Sequence, residues 1–463
     1  MKPMTLYHRL PVILQEAALS LYGAKLRWTR YGGDHHRVLR ELLASAVLDS
    51  ASLTRLQERL LQQTLLHAAT RVPYYRSLGV PVPATPAVAV ETLRQWPLLT
   101  KATVQQAGMD LLDEETSPTS LLQIHTGGTT GRALAIYADA PALRRNYAFF
   151  ERFKRTAGIG PADRVATFAG RPIVPTGQSA PPFWRRNVAG RQLLLSSYHI
   201  SPRTLDEYIG ALEAYAPQWI DSYPSSLEPI ARRIVQRGGT SLRPAAIVTS
   251  SETLSASARA TMEQAFACRV FDQYGSAEMV AFIAQCREGR YHAHSDYGFL
   301  ELLDERGEPV ADGEPGEIVA TGFINRSLPL VRYRMGDLAV RTSAPCACGS
   351  AFPGISSLLG RMDDVIVTPS GRRIGRIDPI FKAVSTLHEA RVVQTAIDSI
   401  RLEAVISEGF TATDRQTLLD ELRLRVGAEM RLEFVSVPSI PRTRGGKLRM
   451  VESPYGRTSA PTE

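Results

Sequence analysis

Residues Thr126-Gly127-Gly128-Thr129-Thr130-Gly131 set glycines among threonine hydroxyls, one residue after the apolar run Leu121-Leu122-Gln123-Ile124. Glycine lets successive backbone N–H groups turn toward one point and the hydroxyls add donors, so the segment suits an anion, above all a phosphate. It is not the lysine-bearing P-loop, because Arg132-Ala133 follows the last glycine where that motif needs Lys and then Ser or Thr. Downstream, Asp272-Gln273-Tyr274-Gly275-Ser276-Ala277-Glu278 combines an aromatic ring, a glycine turn and a carboxylate, enough to stack a base and hold a hard cation. Asp337 closes the segment Val331-Arg332-Tyr333-Arg334-Met335-Gly336-Asp337 with a carboxylate suited to accept two hydrogen bonds from a ribose diol. Two further charged segments follow, Leu359-Gly360-Arg361-Met362-Asp363-Asp364-Val365-Ile366 and Pro441-Arg442-Thr443-Arg444-Gly445-Gly446-Lys447-Leu448.

A second set of residues has metal-binding character. Cys286 and His292 lie close in sequence, and Cys346 and Cys348 follow. Three thiolates and an imidazole have the count and softness of a closed, structural, tetrahedral zinc site. His294 is an alternative fourth ligand, on the same face as His292 if this stretch is a strand. Such a site would staple its region rather than do chemistry. The cysteines are too sparse for a disulfide-stapled fold, and Cys268 reads as a buried apolar thiol.

These residues need a large framework. At 463 residues the chain exceeds the size at which one core keeps growing, so two or three domains are expected. With 44% hydrophobic and 22% charged residues the composition is that of an ordinary globular protein. The net charge of +8 is spread along the chain, without the basic and aromatic clustering of a nucleic-acid surface. No apolar run is long enough to span a bilayer, and Leu10 to Leu21 is broken by Gln15 and Glu16, so no membrane association and a cytoplasmic location are expected.

Apolar residues at helical spacing from 36 to 70, interrupted at an Asp49-Ser50 cap, make the front of the chain helical, to about residue 110. Short apolar runs at 164–168, 192–195 and 245–249 then alternate with helical patterns at 204–215 and 227–238, which predicts an α/β core. From about 298 to 360 the pattern is β-rich, with runs at 299–303, 316–321 and 338–341. After 361 the chain reads strand, helix, strand at 390–396, 413–426 and 431–437, a small α+β domain over 361–463 beside a large N-terminal domain over 1–360.

The ordered segments resemble the adenylate-forming superfamily of acyl- and aryl-CoA synthetases, from about Val72 to Arg449. Val72-Pro73-Tyr74-Tyr75-Arg76 and Trp96-Pro97-Leu98-Leu99-Thr100-Lys101 are similar to the phenylacetate-CoA ligase branch, in which comparable cysteine-bearing segments also occur. The resemblance implies a large multi-subdomain domain, a small mobile C-terminal domain, and a reaction in two halves: a carboxylate attacks ATP to give an acyl-adenylate, and a thiol, that of CoA, then displaces AMP. It implies that Thr126 to Gly131 wrap the β- and γ-phosphates, that Glu278 helps hold Mg²⁺, that Tyr274 stacks on adenine beside Gly275 and Ser276, and that Ser251 and Glu252 line the nucleotide site. It further implies that Asp337 binds the ribose, that Arg361 approaches ribose and phosphate, that Asp363 is the hinge and that Lys447 is the catalytic lysine. Arg132 stands where the family carries a lysine after the loop, and it can still pair with phosphate.

The leading expectation is therefore an AMP-forming acid–thiol ligase using ATP, Mg²⁺ and CoA on a small-molecule carboxylic acid, with a homodimer as one option. The alternatives are transfer of the acyl group to an amine, a hydroxyl or a carrier-protein thiol, and a nucleotide-binding scaffold without turnover. Phe168 to Pro172 and Asp221 to Ser225 are the candidate segments for the acid, and they mix polar and aromatic groups.

Overall fold

The computed structural model describes residues 6–125, 134–169, 173–175, 177–361, 366–369, 373–374, 380, 384, 386–442 and 448–455. The front is helical: α1 (Val12–Tyr31), α2 (His35–Ser45) and α3 (Ser50–Arg71) precede short helices at Pro73–Ser77, Ala89–Arg94 and Lys101–Ala107. The Asp49 carboxylate caps α3 by accepting from the Ser52 N–H at 2.7 Å. Leu53, Leu61, Leu65 and Ala68 then bury one face of that helix. Tyr75, fully buried, donates its hydroxyl to the Pro329 carbonyl and accepts from the Val331 N–H, both at 3.1 Å. Leu99 exchanges backbone hydrogen bonds of 2.9 Å with Arg332 and Arg334. Both segments that mark the branch resemblance thus dock the helical front on the Val331-to-Asp337 stretch.

A hairpin of β1 (Leu122–His125) and β2 (Ala135–Ala138) leads into α4 (Ala140–Thr156), capped by Asp139. The core sheet then collects β3 (Val165–Ala169), β4 (Trp184–Asn187), β5 (Gln192–Ser196), β6 (Trp219–Ser222), β7 (Ala246–Ser250) and β8 (Arg269–Gly275). It continues through β9 (Phe282–Gln285), β10 (Tyr291–Ala293), β11 (Gly298–Leu303), β12 (Pro315–Gly322), β13 (Tyr333–Thr342) and β14 (Gly354–Arg361). The twelve strands run in the order β11-β12-β13-β14-β10-β9-β8-β7-β6-β3-β5-β4. Strands β8, β7, β6, β3 and β5 are parallel, whereas β4 at one edge and the strands from β9 onward are antiparallel.

Helices α5 (Leu205–Tyr215), α6 (Pro224–Gln236) and α7 (Ala256–Phe266) cover one face of the parallel strands, packed on Ile220, Ile247 and Val270. The other face meets α2 and α4, where Phe149, Phe153 and Phe282 form the core. A buried Arg152 fixes α4 by donating to both oxygens of Asp296, at 2.6 and 2.9 Å. Covered on both faces, parallel strands leave their carboxyl ends as the place for a ligand.

The remaining strands are β15 (Ile366–Val367), β16 (Arg373–Ile374), β17 (Leu387–Ala396), β18 (Ser399–Ile406), β19 (Arg431–Ser436) and β20 (Val451–Glu452). A four-stranded sheet, β19-β18-β17-β20, carries α8 (Ala412–Val426) and its own core of Val392, Leu402, Leu418 and Leu422. The strand–helix–strand expectation omits β18, whose buried Ile400, Leu402 and Ala404 alternate with outward Arg401 and Glu403. That alternation is the period-two signature of a half-buried strand. Among the described residues no helix is long and apolar enough to cross a membrane.

Candidate functional site

One cleft of about 2750 Å³ includes the carboxyl ends of the parallel strands and extends beside α1 and α4 to Val165, Gln192 and Trp219 at the start of β3, β5 and β6. Ser251, Glu252, Tyr274, Gly275, Ser276, Glu278 and Asp337 all line it. Tyr274, near the end of β8, donates its hydroxyl to Asp337 on β13 at 2.6 Å, so the phenol and the carboxylate form one polar edge. Glu278 lies in the turn after β8, where the Tyr333 hydroxyl reaches it at 3.4 Å. Two non-glycine residues beside these groups adopt positive φ, Ser251 at 70° and Met279 at 57°. A left-handed backbone costs about 1–2 kcal/mol for such residues, and strain of this kind collects at functional sites.

Glu252 has an arrangement that sequence reading did not foresee. Its buried carboxylate accepts from the Ser225 N–H at 3.0 Å, from the Ser225 hydroxyl at 2.9 Å and from the Leu448 N–H at 3.0 Å. Burial pushes this carboxyl above the usual range, while the hydrogen bonds from Ser225 and Leu448 oppose that shift. Glu252 therefore ties the start of α6 to the C-terminal segment at the residue next to Lys447. Thr126, Gly127, Gly128, Thr129, Thr130, Gly131, Asp363 and Lys447 lie outside the described residues, and Arg361 is described only as the backbone partner of Asp337 between β13 and β14.

The floor of the cleft differs from its rim. Thr167, Asp221 and Val248 stand side by side on β3, β6 and β7 and line it, with the buried Phe271 next in register on β8. Lys154 of α4 lies over the Trp219 ring at 5.7 Å and the Tyr31 ring at 5.6 Å. Burial pushes the Asp221 carboxyl up to about 6, opposed only by the Lys154 charge. Its neighbour Asp272 is pushed to about 6 as well, but there the Thr249 and Tyr291 hydroxyls each donate to it at 2.6 Å. Lys154, Trp219 and Tyr31 had no sequence signal, because their clustering is created by the approach of α1 and α4 to the sheet.

At the antiparallel end, Cys286, His292, Cys346 and Cys348 place their ligand atoms within 4.8 Å of one another. The Cys286 and Cys346 sulfurs are 3.7 Å apart, and the Cys348 sulfur is 3.4 Å from His292 Nε2. A tetrahedral zinc with ordinary bond lengths separates two sulfurs by roughly 3.8 Å and a sulfur from a nitrogen by roughly 3.5 Å. The other ring nitrogen, Nδ1, bonds the Phe352 carbonyl at 2.9 Å, which leaves Nε2 as the ligand atom. The donor set and spacing fit the metal. His294 is elsewhere: its Nδ1 meets Arg152 at 2.6 Å and its ring stacks on Phe352. Cys268 packs beside the α5–α7 core with its thiol pushed up to about 12 by burial.

Comparison with known proteins adds a family. Residues 44–324 match the family model described as AMP-binding enzyme, and residues 366–454 match that described as CapK C-terminal domain. Protein CapK of Staphylococcus aureus is 26% identical over 454 residues, covering 96% of this chain and 98% of that protein. Phenylacetate-coenzyme A ligase of Escherichia coli is 24% identical over 433 residues, covering 86% and 94%. Among solved structures, 2-hydroxyisobutyryl-CoA ligase in the postadenylation state with 2-HIB-AMP shares the fold, with a TM-score of 0.69, 21% identity, and 89% and 91% of the two chains covered.

Proposed function

The chain belongs to the AMP-binding enzyme family, and from that premise we propose that it is an ATP-dependent, AMP-forming ligase that activates a carboxylic acid and transfers it to the thiol of CoA. The observation that carries this reading is the convergence of Tyr274, Asp337, Glu278 and Ser251 on one cleft whose rim is tied, through Glu252, to the residue beside Lys447. Tyr274 stacks on adenine and Asp337 accepts from the ribose hydroxyls. Thr126 to Gly131 hold the β- and γ-phosphates, and Arg361 approaches the ribose and α-phosphate. Glu278 would hold Mg²⁺, which supplies charge neutralisation at the phosphates.

A carboxylate oxygen then attacks the α-phosphorus, the bond to the bridging oxygen breaks, and pyrophosphate leaves. Both reactants are anionic, so a cation placed where their charges meet stabilises the transition state selectively. Lys447 has that role, delivered by the small C-terminal domain turning at Asp363. In the second half the CoA sulfur attacks the acyl carbon, AMP leaves with the bonding pair, and the thiol proton passes to solvent. CoA as acceptor draws support from the ligases named among the relatives. Cys286, His292, Cys346 and Cys348 would hold a structural zinc that staples the antiparallel end of the sheet. The supply of ATP and CoA places the reaction in the cytoplasm.

The test is exchange of labelled pyrophosphate into ATP with a broad panel of carboxylic acids, followed by product analysis with CoA, hydroxylamine and carrier proteins. Acid-dependent exchange and a CoA thioester are expected. Absence of exchange with every acid would remove the catalytic reading, and a product formed only with another acceptor would replace CoA.

A further inference from the structure

The floor of the cleft contains polar groups for which the protein supplies no partner. Among the described residues Asp221 makes no hydrogen bond, and the Lys154 ammonium is the only charge acting on it appreciably. Gln273 is 4% exposed, yet its Nε2 also lacks a partner. Both side chains line the cleft on the face that meets α4: Asp221 pairs with Val248, and Gln273 pairs with Ser250 one step closer to the strand ends. Asp221 is half-buried and opens on the cleft, whereas the Gln273 amide, left unpaired out of reach of solvent, costs free energy unless something else satisfies it. Asp272, on the next strand but one, shows how this protein treats a carboxyl with only a structural role: two hydroxyls close on it.

A glycine stands directly against the Gln273 amide. A Cβ at Gly275 would lie 2.5 Å from Gln273 Nε2, so a side chain there would displace that amide. From the Ser250–Gln273 level, beside Tyr274, to the Asp221 level is one two-residue step of parallel strand, roughly 7 Å. That is about the length of an aromatic ring bearing a carboxylate at one end and a polar substituent at the other. Trp219 and Val248 supply apolar wall at the Asp221 end.

We propose that the acid activated by this protein carries a hydrogen-bond donor, a hydroxyl or an amine, at the end remote from its carboxylate, and that Asp221 selects it by accepting that donor at the cleft floor. The inference rests on the ligase reading for the word "activated", and on the cleft alone for binding. The Lys154 charge favours the carboxylate form of Asp221, which is able to accept, while the ammonium itself rests over the Trp219 and Tyr31 rings. Gln273 offers its amide N–H to an acceptor along the acyl group.

The experiment compares para-hydroxybenzoate, para-aminobenzoate and the donor-free isostere para-methylbenzoate, with a matched aliphatic set of hydroxypentanoate, aminopentanoate and hexanoate. Two readouts are taken on the parent, Asp221→Asn and Asp221→Leu proteins: acid-dependent pyrophosphate exchange, and quenching of tryptophan fluorescence by the acid without ATP. In the parent, at least one donor-bearing acid should exceed its isostere tenfold or more in kcat/KM and in affinity. Asp221→Leu should invert that preference, and Asp221→Asn should spare the hydroxyl acid more than the amine. Equal or better use of the methyl and hexanoate isosteres by the parent, or a preference untouched in Asp221→Leu with an unchanged melting temperature, overturns the inference while leaving the ligase reading in place. Asp221-dependent binding with no exchange for any acid does the reverse, and absence of both binding and exchange removes both.

Discussion

The cleft floor and the Cys–His cluster are both polar groups gathered from distant parts of the chain, and they are built oppositely. In the cluster every ligand atom faces the others, and the Phe352 carbonyl fixes the histidine ring, so the arrangement is complete once a metal enters. In the cleft Asp221 opens on the cavity with no hydrogen bond, the Gln273 amide is buried without a partner, and Ser251 sustains a left-handed backbone. A closed polar site adds stability, whereas an open one holds an unmet demand that a ligand satisfies. Damage to the first should therefore appear in melting and damage to the second in kinetics.

The largest effect is expected in the cluster. Cys346→Ser or Cys348→Ser should lose bound zinc and more than about 4 kcal/mol of stability, read by metal analysis and denaturant unfolding. Exchange rates measured well below the melting point should change little; a zinc-free protein of parental stability would remove the distinction. Next comes Lys447→Ala, expected to lower pyrophosphate exchange by about 10²- to 10³-fold, or roughly 3–4 kcal/mol of barrier. Its melting temperature should stay within a degree or two of the parent, and a variant as fast as the parent would strip Lys447 of its role.

Two aspartates, Asp221 half-buried at the cleft and Asp272 buried, sharpen the contrast within one sheet. With its carboxyl pushed up to about 6, native Asp221 retains a proton that the unfolded chain releases near pH 4. Its contribution to stability is complete below about pH 4 and is lost as pH rises through about 6. Asp221→Asn should flatten that slope and leave the protein up to about 2 kcal/mol more stable than the parent at pH 8. Asp272→Asn should instead destabilise by about 1–3 kcal/mol, since the Thr249 and Tyr291 hydroxyls lose their shared carboxylate. Burial pushes both carboxyls up to about 6, so either variant should flatten the pH slope, and it is the sign of the stability change in denaturant at one pH that distinguishes them; destabilisation by both variants would show that Asp221 is not an open site. The smallest effect belongs to Ser251→Gly, which should relieve backbone strain and raise stability by roughly 0.5–1 kcal/mol. A melting temperature unchanged or lowered would mean that the positive φ there carries no cost.

Most strands of the α/β core could be read from short apolar runs, since β3, β5 and β7 are covered on both faces and need continuous hydrophobicity. β18 was missed because its apolar residues stand only at every second position, so it holds no continuous apolar run of the kind that marked the core strands. Of the site, Tyr274, Glu278 and Asp337 were legible because each sits in a local motif beside a turn. The bond between Glu252 and Leu448 was not, since it spans 196 positions and depends on how the C-terminal segment meets β7.

The sequence by itself determined the set of reactive groups, their order, the family, and which residues could bind phosphate, ribose or a soft metal. Those properties reside in side-chain chemistry and in short spacings that the backbone preserves however the rest folds. Only the tertiary structure decided that Cys286 and His292 would meet Cys346 and Cys348, that His294 would turn to Arg152 instead, and that Asp272 would be satisfied while Asp221 would not. Residues such as Asp221 and Asp272 look alike along the chain. Their difference arises because strand pairing and the approach of α4 set what stands opposite each carboxyl, and a pairing between distant residues leaves no periodic trace in either segment.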